Sequence, residues 1–232
     1  MTKARKNARQ LIGTGMHRVD AAGKVSGETR YLNDMPLKGI LHGVVVRSPV
    51  PRGILKAVEP DPAYNWTGIR VATAKDIPSE NVVHMHDRTM PLLAEVGAEV
   101  RYRGEPVAVV AAKTLAQASA AAAHIRVEVD PLPPLLTLAE AVAVFKSTPD
   151  KFDSMKSQDI VKGDIAKGFA EADDILEGEY EAGHQEQLYL ENQGVVVYPQ
   201  KDGSIFADGS LQCPYFPVHE LNDPLQHQQK KI

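Results

Sequence analysis

The chain has 232 residues, 43% of them apolar and 24% charged, enough for one large domain or two modest ones with cores of their own. A net charge of -4 argues against a non-specific nucleic-acid binder, which carries a basic excess. The single cysteine, Cys213, can form no internal disulfide and cannot hold an iron–sulfur cluster alone. That usage fits a reducing cytosol and puts any iron–sulfur centre on another polypeptide.

From the start of the chain, MTKARKNARQ is basic but leads into no apolar core of a secretory signal, and no stretch reaches transmembrane length. A solvated, flexible arm over residues 1–15 is a commoner outcome than a short transit-like helix. Residues 39–47 (GILHGVVVR) read as a buried strand between Pro36 and the breaker Ser48-Pro49-Val50-Pro51. Residues 67–74 form a second strand candidate. Residues 106–112 (PVAVVAA) form the clearest one, after the Arg103-Gly104-Glu105 turn. Thr114 then caps a helix over residues 115–125, whose alanines permit close packing on a sheet. A short strand at 126–129 ends at the 131–134 proline cluster, and a helix follows at 138–145.

This order of elements predicts a mixed α/β layer domain. Residues 146–160 are polar and read as a linker or surface loop. Beyond them we expect a helix at 163–170 capped by Asp164, and strands at 175–180, 194–198 and 204–207. This second, β-rich unit has only about 70 residues, few for a self-sufficient core. Residues 219–232 read as a helix heading into a further strand.

Several motifs carry little. Gly13-Thr14-Gly15 lacks the third glycine and the preceding strand of a dinucleotide loop, and Gly23-Lys24-Val25 fails the phosphate-loop pattern. No G-x-S-x-G supports a nucleophile-elbow hydrolase. His84 and His86 would share one face of a strand and could chelate zinc or copper. Two imidazoles leave such a site incomplete, however, and Pro78 and Pro91 point to a loop. The pairs Glu186/Glu191 and Asp173/Asp174 can be read as acid/base carboxylates, but such pairs more often cap helices or form salt bridges. Tyr189 and Leu190 read most simply as strand core, with Glu191 as a buried hydrogen-bonding partner.

Taken together, several segments resemble one family. His17-Arg18-Val19-Asp20, Gly23 to Tyr31 (GKVSGETRY) and Asp34 are similar to the opening of the hammerhead-like domain of xanthine dehydrogenase/aldehyde oxidase-type molybdenum hydroxylases. In that family the opening precedes a strand ending in Arg-Ser-Pro, here Arg47-Ser48-Pro49. Val100 to Ala108 (VRYRGEPVA), the Ala-rich helix and Val127-Glu128-Val129 follow in family order. Gly163-Asp164, Phe169, Ala172-Asp173, Gly178-Glu179-Tyr180 and Gln185 to Glu191 (QEQLYLE) resemble the entry into the first cofactor-binding domain. Gln187 stands where the family usually has His. Ser210-Leu211-Gln212 is similar to the family's Ser-Thr-Gln segment, with Leu211 in place of Thr.

The resemblance implies an α+β fold. A flexible N-terminal arm (1–15) leads into a mixed α/β hammerhead-like domain (16–145). A linker (146–160) then leads into an incomplete, β-rich start of a molybdopterin-binding domain (161–232). It implies a molybdenum-pyranopterin cofactor, with Gln212 donating an amide hydrogen bond to the metal's oxo ligand, and 2Fe-2S and FAD groups on partner subunits. The metal is held by the pterin's dithiolene, so Cys213 is expected to be a packed thiol.

The family's glycine-rich pterin loop and catalytic glutamate lie downstream of residue 232. The implied function is the N-terminal portion of an enzyme oxidising aldehydes or N-heterocycles with water-derived oxygen, inactive without the rest of the subunit. The substrate stays open among purines, aldehydes, aromatic thioesters and other heterocycles. The implied setting is cytoplasmic, with the remaining part of the molybdenum subunit and the iron–sulfur and FAD subunits as partners, and with self-association of the unfinished unit. Two alternatives stand beside it: a non-catalytic scaffold or subunit-interaction domain derived from the family, and a zinc module built on His84 and His86.

Overall fold

A computed structural model describes residues 15–35, 37–78, 80–83, 90–148, 160–189, 191 and 193–210. By Cα proximity the chain divides into two units, Met1–Leu37 with Leu188–Leu211 and Lys38–Gln187 with Gln212–Ile232. The fold is mixed α+β, as the sequence predicts.

The larger unit is built on two three-stranded antiparallel sheets. In the first, β5 (Pro106–Ala112) lies between β1 (His42–Arg47) and β3 (Arg70–Thr73). Being central, β5 is hydrogen-bonded at both edges, and its burial alternates along the run, with Val109 and Ala111 half-buried between fully buried neighbours. Val107, Ala108, Val110 and Ala112 are all fully buried. In the second sheet, β2 (Gly53–Pro60) lies between the short β4 (Glu99–Val100) and β6 (Ile125–Pro131).

Helix α2 (Leu115–Ala122) packs on β1 and β5. Its N-cap, Thr114, accepts a 3.1 Å hydrogen bond from the Gln117 amide, satisfying a donor that the first turn leaves free. Ala118 and Ala121, three residues apart on one face, are fully buried, so the helix comes close to the sheet without large side chains between them. It ends at Ala122, earlier than the sequence predicts. The backbone bonds Ala123 to Ser119 and His124 to Ala121 close the last turn, and Ile125 is already in β6.

Helix α3 (Leu138–Ser147) starts with a capping box, in which Glu140 accepts from the Thr137 amide and Thr137 Oγ1 from the Glu140 amide. Helix α4 (Ile165–Glu171) starts at the expected cap, Asp164, which accepts from the Lys167 amide at 3.0 Å.

The sequence reading misses β2, and the register shows why. Between Leu55 and Ala57 the β2–β6 pairing slips by one residue, leaving Lys56 as the extra residue of a bulge. A bulge breaks the two-residue alternation by which a strand is recognised. One expected strand does not form: residues 175–180 have no strand partner among the described residues, and Leu176 and Tyr180 are 96% and 91% exposed. A strand needs a neighbour for its amides and carbonyls, and local β-propensity does not supply one.

The smaller unit contains α1 (Ala21–Ser26), a 3-10 turn at Leu32–Asp34, and a hairpin of β7 (Val195–Pro199) and β8 (Ile205–Gly209). Gly27, at φ 76, ends α1 in the left-handed conformation. Asp34 holds the 3-10 turn by accepting from the Tyr31 amide at 2.9 Å. Neither Tyr189 nor Glu191 lies in a strand. Leu188 takes a left-handed φ of 48, which interrupts extended backbone just where a strand is expected, and Tyr189 is 50% exposed. Residues 219–232 lie outside the described residues. Among the described residues no helix is long and apolar enough to cross a membrane.

Leu55 is completely buried in the larger core, so Leu55→Ala should lower unfolding stability by about 2–5 kcal/mol in urea titrations. Gly53→Ala should also destabilise the protein, since a Cβ there would lie 2.5 Å from both the Asp130 carbonyl oxygen and Val129 Cγ1 on β6. A midpoint equal to wild type for either variant would contradict this packing.

Candidate functional site

Gln212 and Cys213 lie outside the described residues, as do His84 and His86. Among the described residues no group of three or more His, Cys, Asp or Glu side chains could hold a metal ion. Asp173, Asp174 and Glu186 are exposed and have no hydrogen-bond partner among the described residues. Glu191 is engaged elsewhere. Its half-buried carboxylate accepts a 3.1 Å hydrogen bond from the Leu32 backbone amide, 159 residues away in sequence. The expected hydrogen-bonding role is therefore present, though without full burial.

The β7–β8 hairpin precedes Gln212 in sequence. Its ladder pairs Val195 with Gly209 and Pro199 with Ile205, and it closes around Gly203 at φ 83. The Gln200 amide donates to the Ser204 carbonyl at 2.8 Å, and Asp202 accepts from the Ser204 amide at 2.9 Å. At the open end, the Ser210 amide donates to the Gly194 carbonyl at 3.1 Å, so hydrogen bonding continues to two residues before Gln212. Two glycines make this end tight. A Cβ on Gly209 would lie 2.4 Å from the Gly194 carbonyl oxygen, and a Cβ on Gly194 would lie 2.6 Å from Leu32 Cδ2. The space beside both glycines is filled by the chain itself, so they are not an open cradle for a cofactor.

The donor chemistry is consistent with a pterin-held molybdenum. Such a group brings its own sulfur ligands and asks the protein for neutral hydrogen-bond donors, which is what a glutamine amide offers. Among the described residues no thiolate or imidazole cluster competes for the metal.

A second constellation lies where β2 ends and β6 begins, and no sequence motif announces it. A shallow groove of about 540 Å³ is lined by Glu59, Asp61, His124 and Arg126, among others. His124 Nδ1 lies 3.4 Å from Asp61 Oδ2, and its ring stacks on Tyr64 with centroids 4.2 Å apart. The Trp66 indole N–H donates to the Asp61 carbonyl at 2.8 Å, and the Asp61 amide donates to the His124 carbonyl at 2.9 Å. Arg126 pairs with Glu59 and, at 3.2 Å, with Glu128. The groove lining includes no Ser, Thr, Cys or Lys to act as nucleophile, and its polar groups satisfy one another. It is a joint that closes the β2–β6 ladder.

Comparison with known proteins places these features. Residues 26–133 match the a/b hammerhead domain of aldehyde oxidase and xanthine dehydrogenase, and residues 146–232 match a molybdopterin cofactor-binding domain. The chain is 32% identical over 200 residues to a probable xanthine dehydrogenase component of Bacillus subtilis, covering 85% of this chain and 27% of that protein. The aldehyde oxidoreductase of Desulfovibrio gigas has the same fold, with a TM-score of 0.72 at 24% identity over 91% of this chain and 25% of its own. Quinoline 2-oxidoreductase of Pseudomonas putida gives a TM-score of 0.69 at 25% identity, over 90% and 28%. The chain thus spans roughly a quarter of the length of each of these proteins.

The Asp61 joint has a signature in solution. The Ala63 amide, and after it His124, hold the Asp61 carboxyl below the usual carboxylate range. With the folded value below an unfolded value of about 4, its stabilising contribution is present above that pH and is lost as pH falls through the folded midpoint. Carboxyl NMR titration should place the Asp61 midpoint below that of an unfolded peptide. A midpoint at or above the peptide value would contradict the joint.

Proposed function

Because the chain belongs to the aldehyde oxidase and xanthine dehydrogenase family and matches the N-terminal region of its molybdenum subunit, we propose that it is the N-terminal portion of a molybdenum hydroxylase. The enzyme oxidises an aldehyde or an N-heterocycle with water-derived oxygen. This portion is inactive until joined by the remaining part of the molybdenum subunit, which supplies the pterin loops and the catalytic base. The observation that carries the reading is the ordered match of both domain models, hammerhead first and cofactor-binding second, along one chain.

When bound, the molybdenum-pyranopterin group accepts the two electrons removed from the substrate carbon. This chain would contribute the Gln212 amide, three residues after β8 in sequence, as a hydrogen-bond donor. A neutral donor adds no charge to the centre. 2Fe-2S and FAD groups on partner subunits would supply the path for those electrons, in a cytoplasmic complex.

A second reading, a non-catalytic scaffold or subunit-interaction domain, is favoured by the exposure of Ile160, Val161, Leu176 and Tyr180. These apolar side chains suit burial against a partner or a second copy.

The test is co-expression of the chain with the remaining part of the subunit, followed by metal analysis and turnover of aldehydes and purines. The assembled enzyme should hold molybdenum and turn over. Gln212→Ala should lower kcat by about 10- to 100-fold with the metal retained. Turnover by the isolated chain, or an unchanged kcat in Gln212→Ala, would count against the proposal.

A further inference from the structure

We infer that helix α3 and the two leucines ahead of it form a docking face for the remaining part of the molybdenum subunit, an inference that rests on the function proposed above. Along α3 only Glu140, Lys146 and Ser147 are polar, and none of its residues is buried. Helix α2, by contrast, packs on β1 and β5 and buries Ala118 and Ala121. Leu138 is 81% exposed and Val142, one turn on along the same face, 38%. Leu135 and Leu136, just ahead of the helix, are 45% and 72% exposed. A helix so nearly apolar all round is a buried helix, and a short one draws most of its stability from packing.

The face is held ready. The Glu140 carboxylate accepts from the amides of Leu136 and Thr137 at 3.1 and 3.0 Å, which ties the leading leucines to the first turn. At the other end the Ser147 and Thr148 hydroxyls both donate to the Val144 carbonyl at 3.0 Å. A preorganised face loses little conformational entropy on docking.

Two observations select the occupant. The hammerhead match ends at residue 133 and the cofactor-binding match begins at 146, so α3 takes up most of the stretch between the two domains. In the Bacillus subtilis relative the matched stretch is 27% of the protein, so most of that chain is further protein available to such a joint. A second copy fits less well. A stable dimer buries about 800 Å² per partner, and a helix about 15 Å long and about 10 Å across presents far less.

The test uses the full chain, alone and co-expressed with the remaining part of the subunit. Assembly should slow hydrogen exchange of peptides covering residues 138–147 by about 10-fold or more. Leu138→Lys with Val142→Lys places a good helix former at two exposed positions, so the isolated chain should keep its circular dichroism and urea midpoint. Its affinity for the remaining part should fall by about 10- to 100-fold. Leu136→Lys, outside the helix, should weaken assembly in the same direction, and it serves if the double variant does not fold. Exchange at 138–147 unchanged on assembly, or wild-type affinity in these variants, would overturn the inference and leave the proposed function standing. Lysines that abolish self-association of the isolated chain but leave assembly unchanged would assign the face to a second copy instead. A wild-type chain that never assembles with the remaining part removes the proposed function, and the inference with it.

Discussion

The larger unit depends on a buried clasp between the end of β1 and the turn that leads into β5. Glu105 is only 3% exposed, and its carboxylate accepts the Arg101 amide at 2.7 Å. Its backbone carbonyl accepts the amide of Ser48, also buried, at 2.8 Å, and the Ser48 carbonyl accepts the Gly104 amide at 3.0 Å. The Arg47 guanidinium closes the set by donating to the Gly104 carbonyl at 2.8 Å. A buried carboxylate without such a donor would carry a desolvation cost of several kcal/mol, so the turn and the burial require each other. Gly104, at φ 96, is the residue type that this turn tolerates.

The clasp sets the register of the first sheet. Val46 pairs with Ala108 and Arg47 with Pro106, so the ladder slips at Val107. Pro106 has no amide to donate, and its place at the start of the strand beside the slip costs the ladder nothing. From there β5 runs through the core in a register that brings its buried valines and alanines between β1, β3 and the alanine face of α2. A slip of one residue would turn that set to the wrong faces, so a few hydrogen bonds at one edge control the whole apolar layer.

The smaller unit uses a different principle. Its two-stranded hairpin has little core of its own, and two strands alone are marginal in water. Its anchoring is polar and close-packed: Glu191 on the Leu32 amide, and Gly194 and Gly209 where no Cβ fits. Outside it, residues 160–187 carry several large apolar side chains in solvent, an arrangement that the scaffold reading and the enzyme reading would both satisfy by burial against further protein.

The sequence by itself determined the central strand β5, the Ala-rich helix with its Thr114 cap, the Asp164-capped helix and the strands β7 and β8, whose pairing as a hairpin the fold supplied. In each, a local signal matches the local structure: an apolar run or a side-chain cap. It also carried the family, because the motifs keep their order whatever their contacts. Tertiary structure decided what local signals cannot encode. The bulge at Lys56 hid β2, residues 175–180 have no neighbouring strand among the described residues, and the left-handed Leu188 interrupts the backbone ahead of Tyr189. Glu191 reads in sequence only as a hydrogen-bonding residue. Its partner, Leu32, directly follows the segment GKVSGETRY and lies 159 positions away, and only folding brings it to the last residue of QEQLYLE in a single hydrogen bond.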